Sequence, residues 1–510
     1  MRYATYAAIV IGSKNLLMKV YTITASEIKT IDSISHEYEL GKEAYYTRQI
    51  TFSQIEEICG VLSDFKLRMK EYDVKEYRCY ATSAVRNARN QLAVVNHIKI
   101  RTGMDVQMLS NSELRFLMYK GIQLLDLDFD AIIQKNTAIL DIGSGSVQIS
   151  LFDKKALYMT QNLAIGTSKI REILESVENN TLNYISVMEE YIEYEIDSFK
   201  NGFLKEKDIK NVIAIGDEIK NLKRIVPELN PDQTLSYEQI CYIYRKIRKA
   251  SYKDLAQQYG LSIEEARMML PSVIIYKLFL EESKADTVYI CATNLCDGSV
   301  VDYAQESKRI KLKHDFYQDI VASARYIGKR YRYNKVHAQF VTEMALEIFD
   351  RTARFHGLTE RDRLILEIAS ILHDIGKYVN INEPGRNGYQ LIMSTEIMGL
   401  SHTEREEVAN VILYNTTDIP DTEDLNSAFW REEYLRIAKL SAILRLANAL
   451  DRGHKQKYRN ITIARKGKEL IITVESDQDI VLEISLFDKK AEYFSEIMGV
   501  MPRLKQKRSF

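Results

Sequence analysis

The chain has 510 residues, which is too long for a single hydrophobic core, so we expect several domains. Apolar residues make up 46% and charged residues 28%, and with only 21 glycines and 6 prolines this composition excludes collagen-like and low-complexity chains. Seventy basic side chains against 71 acidic ones leave a net charge of −1, which excludes a global attraction to nucleic acid or membranes, so any anion site must be local.

The first predicted element is a β-hairpin that occurs twice. Ala7–Val20 resembles Thr137–Phe152 at a constant offset of 131 residues. In both segments an apolar, β-rich run meets a Gly-Ser turn and continues as an alternating strand, which is typical of a β-hairpin. Two such hairpins, one small domain apart, predict a duplicated α/β architecture. Two unrelated glycine hairpins are the alternative.

Each hairpin turn is a candidate phosphate site. Glycine lets backbone N–H groups converge on an anion, and serine hydroxyls add donors. Asp141, just before the second turn, is placed to hold Mg²⁺ or its water beside a bound phosphate. The candidate phosphate-binding residues of the turns are Gly12, Ser13, Lys14, Asn15, Gly143, Ser144, Gly145 and Ser146.

Strand-like and helical segments alternate up to about residue 306, which favours sheets covered by helices. From His337 to His454 the sequence is almost entirely amphipathic helix, and residues 459–510 return to alternation with a short helix. The basic end, from Arg503 to Arg508, predicts disordered, solvent-facing charge. The predicted domains are 1–130, 131–306, 307–458 and 459–510.

Five scattered cysteines form neither a disulfide framework nor a zinc motif, as expected in a reducing compartment. No window reaches 18 uninterrupted apolar residues, and the first residues lack a cleavage-site pattern. We therefore expect a cytoplasmic protein that binds neither nucleic acid nor membrane.

A series of motifs carries a resemblance to a known family. IGSKN, ATSAVRNARN, LSNSELR, DIGSGSVQ, LAIGTSKI, AIGDEIK and LCDGSVVDYA, in this order, resemble the exopolyphosphatase / guanosine pentaphosphate phosphatase family. The later motifs VHAQFV, ILHDIGK, GLSHTEREEVA and ILRLANALDR resemble the HD-type helical domain attached to many members. Together they cover essentially the whole chain.

The resemblance implies both a fold and an activity. The fold is a duplicated actin-like (ribonuclease H-like) ATPase-type core, followed by an all-α HD-type domain and a small α+β tail. The activity is release of the terminal phosphate from inorganic polyphosphate, or of the 5′ γ-phosphate of guanosine pentaphosphate, with Mg²⁺ or alternatively Mn²⁺. A homodimer is also implied. Arg86, in the intact arginine motif, would grip phosphate oxygens in a fork.

Several positions depart from the family pattern at the expected catalytic cleft. The aspartate of the first hairpin is Val10. The acidic motif, normally two glutamates and a small residue, is Glu113, Leu114 and Arg115, so the water-activating glutamate falls on Leu114. Glu113 is then the candidate base, with Asp141 as the other catalytic residue. Near Gly216, the expected threonine and glycine are Asp217 and Glu218, negative charges beside an anion site.

The helical part carries a candidate metal site. The resemblance implies His337, His373 and Asp374 as ligands, but the final aspartate is Asn448, a weaker ligand, and a later histidine is Asn415. Asp451 lies nearly a turn from Asn448 and is a poor replacement. A structural His-Asp pair on an amphipathic helix is the alternative.

The segment from Lys308 to Lys335 contains nine basic residues and two aspartates, with tyrosines between them. Such a segment suits a polyphosphate channel, because binding a polyanion is favoured by counterion release. A solvated linker helix is the alternative.

The sequence is compatible with three functions. The first is an exopolyphosphatase-type hydrolase, the second a guanosine pentaphosphate phosphatase, and the third a degenerate polyphosphate- or alarmone-binding regulatory protein. Asp141, Arg86 and Glu113 favour an enzyme, whereas Val10, Leu114 and Asn448 favour a binder. An actin-like kinase is disfavoured by the broken glycine motif near Gly216.

Overall fold

The structure is a computed structural model that describes residues 3–13, 15–38, 48–125, 127–178, 183–204, 208–226, 234–420 and 430–507. The chain forms two compact units, Met1–Asp319 (unit 1) and Ile320–Phe510 (unit 2). Within the described ranges, no helix is long and apolar enough to cross a membrane.

The first sheet of unit 1 has the strand order β3-β2-β1-β4-β5. β1 and β2 form the first hairpin, and β4 and β5 extend the sheet in parallel on the other side of β1. The strands are β1 (Ala4–Ile11), β2 (Asn15–Ile23), β3 (Ile28–Glu37), β4 (Glu76–Ala81) and β5 (Val106–Met108). β1 is buried along nearly its whole length, as expected for a strand covered on both faces.

The second sheet repeats this arrangement in the order β10-β11-β9-β6-β7-β8. β6 pairs with β7 in the second hairpin and runs parallel to β9, which runs parallel to β11; β10 adds an antiparallel edge. The strands are β6 (Thr137–Ile142), β7 (Val147–Asp153), β8 (Ala156–Leu163), β9 (Asn211–Ile215), β10 (Thr234–Ser236) and β11 (Thr287–Cys291).

The two hairpins also share their register. Val10 lies opposite Leu17 in the first hairpin, and Asp141 lies opposite Gln148 in the second, at the same offset of 131 residues that relates the sequences. The predicted duplicated, actin-like α/β fold is confirmed. Val10 is therefore the structural counterpart of Asp141.

The helices of unit 1 cover these sheets. They are α1 (Phe52–Glu71), α2 (Ser83–Arg86), α3 (Gln91–Thr102), α4 (Asn111–Gly121), α5 (Phe129–Ile133), α6 (Thr167–Glu178), α7 (Tyr184–Phe199), α8 (Asp217–Lys223), α9 (Tyr237–Lys249), α10 (Tyr252–Tyr259), α11 (Ile263–Ser283) and α12 (Leu295–Glu306). α12 follows the second sheet in the chain but packs on the first, where Cys296 and Val300 join Tyr6 and Ala8 in one buried cluster. This packing joins the two halves of unit 1.

The last residues of unit 1 are held by a buried histidine. His314 Nδ1 lies 2.8 Å from Asp130 Oδ1, and its Nε2 lies 2.7 Å from Asp319 Oδ2. Because carboxylates only accept hydrogen bonds, both ring nitrogens donate and the imidazole is positively charged. Lys155 Nζ lies 3.8 Å from Asp130 Oδ2 and is a second cation beside this carboxylate.

This arrangement predicts a pH-dependent stability. Burial alone would lower the pKa of His314, but the hydrogen bonds to Asp319 and Asp130 raise it above its ordinary value. The stabilisation is therefore complete below the unfolded pKa of about 6.5 and is lost as pH rises through the higher folded pKa. We expect His314→Gln to cost about 3–5 kcal/mol in free energy of unfolding at pH 6 and less at pH 9, measured by urea titration. An equal loss at both pH values would contradict the charged state.

Unit 2 is mainly helical, as predicted. Its helices are α14 (Lys335–His356), α15 (Glu360–Leu372), α16 (Pro384–Met393), α17 (His402–Tyr414), α18 (Trp430–Leu450) and α19 (Val481–Met498); α13 (Phe316–Arg330) contains the division between the units. The small sheet has the order β12-β13-β14, with β12 (Asn460–Lys466), β13 (Glu469–Glu475) and β14 (Met501–Lys507).

The basic end of the chain differs from its prediction. Residues through Lys507 form β14, which runs parallel to β13 from Glu469 opposite Met501 onwards. Pro502 is buried, and Arg503 and Lys505 point outward. The expectation of disorder was wrong for Arg503, Lys505 and Lys507, because a parallel pairing across α19 leaves no local signal beyond a weak alternation; Arg508 lies outside the described residues.

Candidate functional site

The two hairpin turns close in the same way. Gly12 N–H donates to Asn15 O at 2.9 Å, and Gly143 N–H donates to Ser146 O at 3.0 Å, at equivalent positions of the repeat. Tyr38 adds a hydroxyl hydrogen bond to Gly12 O at 2.9 Å. The predicted phosphate residue Lys14 lies outside the described residues.

The second turn is braced by the start of α6. Gly143 O accepts from Thr167 N at 3.1 Å, and Ser144 O accepts from Ser168 N at 3.0 Å. A Cβ at Gly166 would lie 2.2 Å from Ser144 O, so the close approach requires glycine there. The conformation of this turn is thus fixed by its neighbours.

A guanidinium occupies the centre of the site at the second turn. Arg115, on α4, donates from Nε to Asp141 Oδ2 at 3.1 Å, from Nη2 to Ser146 Oγ at 3.0 Å and from Nη1 to Asn162 Oδ1 at 3.0 Å. Arg115 is only 5% exposed and Asp141 8%. The sequence alignment placed Arg115 at a small-residue position, but it did not show that this side chain reaches Asp141.

The candidate base Glu113 is engaged in capping α4. Its Oε2 accepts from Ser110 N–H at 2.8 Å, and Ser110 Oγ accepts from Glu113 N–H at 3.2 Å, which makes a capping box. Leu114 is half-buried beside the apolar cluster that contains Tyr80 and Leu117. Glu113, which is next to the expected catalytic position in the sequence, therefore caps the helix through Ser110.

Arg86 contacts the same helix start. Its guanidinium donates to Leu109 O and, at 2.6 Å, to Asn111 Oδ1. The side chain is half-buried. Arg86 thus stands at the N-terminal end of α4, whereas Arg115 stands at the second turn.

The remaining surroundings of Asp141 are polar. Gly216 has φ of 105°, in the region that favours glycine, and a Cβ there would lie 3.6 Å from Asp141 Oδ1 and 3.7 Å from Glu218 Oε2. Gln148, opposite Asp141, is fully buried, and neither of its amide atoms has a hydrogen-bond partner among the residues that the structure describes. Burial and the charges of Glu218 and Asp141 raise the pKa of the buried Tyr276 well above its usual value. Nothing is described for the side chain of Asp217.

In unit 2, the predicted metal residues lie together. His337 Nε2 is 3.2 Å from His373 Nε2, and Asp374 carboxylate oxygens lie 3.9 Å and 3.6 Å from these two atoms. His454, which the sequence analysis missed, stacks on His337 at 3.6 Å between ring centroids and places Nε2 3.7 Å from Asp374. Three of these residues, His337, Asp374 and His454, offer ligand atoms within 4.8 Å of one another.

The outer nitrogens of the cluster have their own partners. His337 Nδ1 lies 2.8 Å from Asp451 Oδ2, and His373 Nδ1 lies 2.7 Å from Ser370 O. These partners orient both Nε2 atoms inward, as neighbouring carboxylates and carbonyls do for metal-bound histidines. Asp451, a poor ligand by position, thus orients a ligand instead.

The pKa shifts of the histidines and of Asp374 in this cluster also favour binding of a cation. Burial lowers the pKa of His373, and burial with the nearby His337 lowers that of His454 to about 4. Burial would raise the pKa of Asp374, but His373 and Lys377 lower it to about 2. Neutral imidazoles and an ionised carboxylate are the forms that bind metal. Lys377 Nζ, 2.5 Å from Asp374 Oδ2, is a competing cation.

The other two expected ligand positions contact each other. Asn448 Nδ2 lies 3.4 Å from Asn415 Oδ1, and both residues are buried. Two amides that contact each other have therefore replaced an expected carboxylate and an expected imidazole. His454 is instead the additional residue that contacts His337 and Asp374.

The basic segment is exposed in both units. In unit 1 the exposed residues are Lys308, Arg309, Lys311 and Lys313. In unit 2 they are Arg325, Lys329, Arg330, Arg332 and Lys335. All nine predicted cations are thus at the surface.

Comparison with known proteins places the chain in a family. The model of the Ppx/GppA phosphatase family matches residues 19–307, more than half of the chain, and that of Ppx/GppA phosphatase, domain III, matches residues 321–493. The chain belongs to the Ppx/GppA phosphatase family. The predicted resemblance is confirmed, and α12, which returns to the first sheet, lies within the first match.

Solved structures of Ppx/GppA proteins share the fold. A family member from Aquifex aeolicus is 19% identical with a TM-score of 0.51, over 60% of this chain and 99% of that one. An exopolyphosphatase from Cytophaga hutchinsonii is 16% identical with a TM-score of 0.50, over 60% of this chain and 99% of that one. At these identities the similarity concerns the fold.

Proposed function

We propose that unit 1 binds the end of an inorganic polyphosphate chain at its hairpin turns and hydrolyses it very slowly. The observation that carries this proposal is the position of Arg115, which is bound to Asp141 and Ser146 at the second turn. Arg115 has five N–H donors, and its contacts with Asp141, Asn162 and Ser146 use one each, so within the described contacts two N–H groups are left for a phosphate oxygen. The same ion pair engages Asp141, the carboxylate that would hold a metal ion for hydrolysis.

Slow hydrolysis follows from the acidic motif. A positioned general base contributes about 10²–10⁴-fold to a rate. Leu114 cannot accept a proton, and Glu113 is bonded to the backbone of Ser110. Val10, the counterpart of Asp141, supplies no carboxylate from the first hairpin.

Polyphosphate is favoured as the ligand by the exposed basic residues. Four lie between Lys308 and Lys313 in unit 1, and five lie between Arg325 and Lys335 in unit 2. A long polyanion gains affinity from each phosphate that is neutralised, because counterions are released. Guanosine pentaphosphate, with five phosphates, is the alternative ligand.

Binding of long-chain polyphosphate to the full chain tests the proposal. We expect binding that weakens steeply as salt is raised, and weaker binding for a Lys308→Ala/Lys311→Ala/Lys313→Ala variant. A Lys466→Ala/Lys468→Ala/Lys489→Ala variant, which removes three exposed lysines from β12, the turn after it and α19, serves as the charge-matched control. Tighter binding of guanosine pentaphosphate than of polyphosphate would contradict the proposed ligand.

We also propose that His337, His373, Asp374 and His454 hold a divalent cation in unit 2. The observation that favours it is the inward orientation of the Nε2 atoms by Asp451 and Ser370 O. Imidazole-rich donor sets suit Zn²⁺, Fe²⁺ and Ni²⁺ better than Mg²⁺. The cation would be held structurally here, and no reaction step is assigned to it.

Metal removal tests this site. A ligand at a hundred times its dissociation constant stabilises a fold by about 2.7 kcal/mol, so chelation is expected to lower the melting temperature and added Zn²⁺ to restore it. His373→Ala should abolish this response, whereas His402→Ala, at the exposed start of α17, should keep it. A chelator response that survives in His373→Ala would contradict the site.

A further inference from the structure

Asp141 is the residue that the family resemblance implies as the Mg²⁺ ligand. In the structure its Oδ2 receives Arg115 Nε at 3.1 Å, and both side chains are almost completely buried. Arg115 thus balances the charge of Asp141, whereas the carboxylate of Glu218 lies on the Gly216 side of the same residue. Whether a metal fits there depends on the other donors.

The nearby oxygens do not make a free ligand set. Ser146 Oγ and Asn162 Oδ1 each accept from a separate nitrogen of Arg115 at 3.0 Å. Mg²⁺ needs only one or two carboxylates besides water and phosphate oxygens, but at Asp141 it would lie beside the guanidinium of Arg115, whose charge repels it. On the first hairpin, the matching position is Val10, which has no ligand atom. The residues present therefore do not fit Mg²⁺.

Arg115 also orients the turn hydroxyl. Because Ser146 Oγ accepts the hydrogen bond from Nη2, the single hydroxyl hydrogen of Ser146 is directed elsewhere and can be donated to an anion. Because the cation in this arrangement is a side chain of the chain itself, its presence does not depend on the metal concentration. Arg115 is in this sense a positioning residue.

We infer that Arg115 takes the place of a divalent cation at Asp141, so that the second turn binds condensed phosphate without metal. Binding of condensed phosphate at the second turn rests on the proposed function, whereas replacement of the divalent cation by Arg115 does not. A separate measurement tests each of these two claims.

The first measurement is Mn²⁺ binding to the full chain, followed by electron paramagnetic resonance. We expect the wild type and Asp141→Asn to bind the same number of Mn²⁺ ions. Arg115→Ala should gain one additional site, which Arg115→Ala/Asp141→Asn should lose. A Mn²⁺ site in the wild type that disappears in Asp141→Asn would overturn the inference, and so would the absence of an additional site in a folded Arg115→Ala. If Arg115→Ala does not fold, Arg115→Gln, which keeps most of the side chain, replaces it.

The second measurement is polyphosphate binding with EDTA and with Mg²⁺. The inference predicts equal affinity in both, and an affinity about tenfold lower for Arg115→Gln, because charge-assisted bonds that orient the turn are lost. Binding that requires Mg²⁺ would overturn it. If the chain binds no polyphosphate in either buffer, the proposed function fails, and the Mn²⁺ measurement alone decides the role of Arg115.

Discussion

The double variant Leu114→Glu/Arg115→Ala is expected to release phosphate from polyphosphate about 10²–10⁴-fold faster than the wild type in the presence of Mg²⁺. It restores the glutamate pair and small residue of the family pattern at the start of α4. The added carboxylate replaces a half-buried leucine beside Tyr80 and Leu117. Removal of the guanidinium breaks the ion pair with Asp141 Oδ2, so a base and a metal ligand are gained together.

Leu114→Gln/Arg115→Ala is the matched control, because glutamine has the shape of glutamate but is not a base. It should release phosphate no faster than Arg115→Ala alone. Rates would be followed with purified full-length chains and a phosphate assay. Equal acceleration in the glutamine and glutamate variants would contradict a missing base as the cause of slow hydrolysis.

Gly298→Ala is expected to destabilise unit 1 by about 3 kcal/mol. Gly298 lies where α12 crosses α4, and an added Cβ would stand 1.9 Å from Leu117 O. That oxygen belongs to the backbone and cannot rotate away, so the helices must separate. Because α4 carries Arg115, the same change should also weaken polyphosphate binding.

Gly60→Ala is the control for this change. Gly60 is exposed in the middle of α1, and nothing lies within 4 Å of the added Cβ. Since alanine favours a helix over glycine, this variant should be about 0.5–1 kcal/mol more stable in urea unfolding. A Gly298→Ala protein as stable as the wild type would contradict the close crossing of the two helices.

The parts of the fold that depend on residues close together in the sequence were predictable. The repeated hairpin could be found from sequence because a tight turn fixes the register of both strands, so equal sequence spacing gives Val10 and Asp141 equivalent places. The return of α12 to the first sheet and the parallel pairing of β14 could not be found in this way. They depend on contacts between distant segments.

The site was less predictable, for two physical reasons. A comparison of sequence positions does not show where a long side chain ends, and the side chain of Arg115 reaches Asp141. His454 lies in a turn after α18 and joins His337 only through the tertiary fold. One missed signal was present: Ser110 and Glu113 have the spacing of a capping box, which predicts a structural partner for that carboxylate.

The central claim is that unit 1 binds condensed phosphate but scarcely hydrolyses it. It is tested most directly by measuring, in one wild-type sample with Mg²⁺, both the polyphosphate bound and the phosphate released. We predict saturable binding, with release at least about a hundredfold slower than that of Leu114→Glu/Arg115→Ala. Rapid wild-type release that Asp141→Asn abolishes would contradict the claim and would identify a hydrolase that works with its present residues.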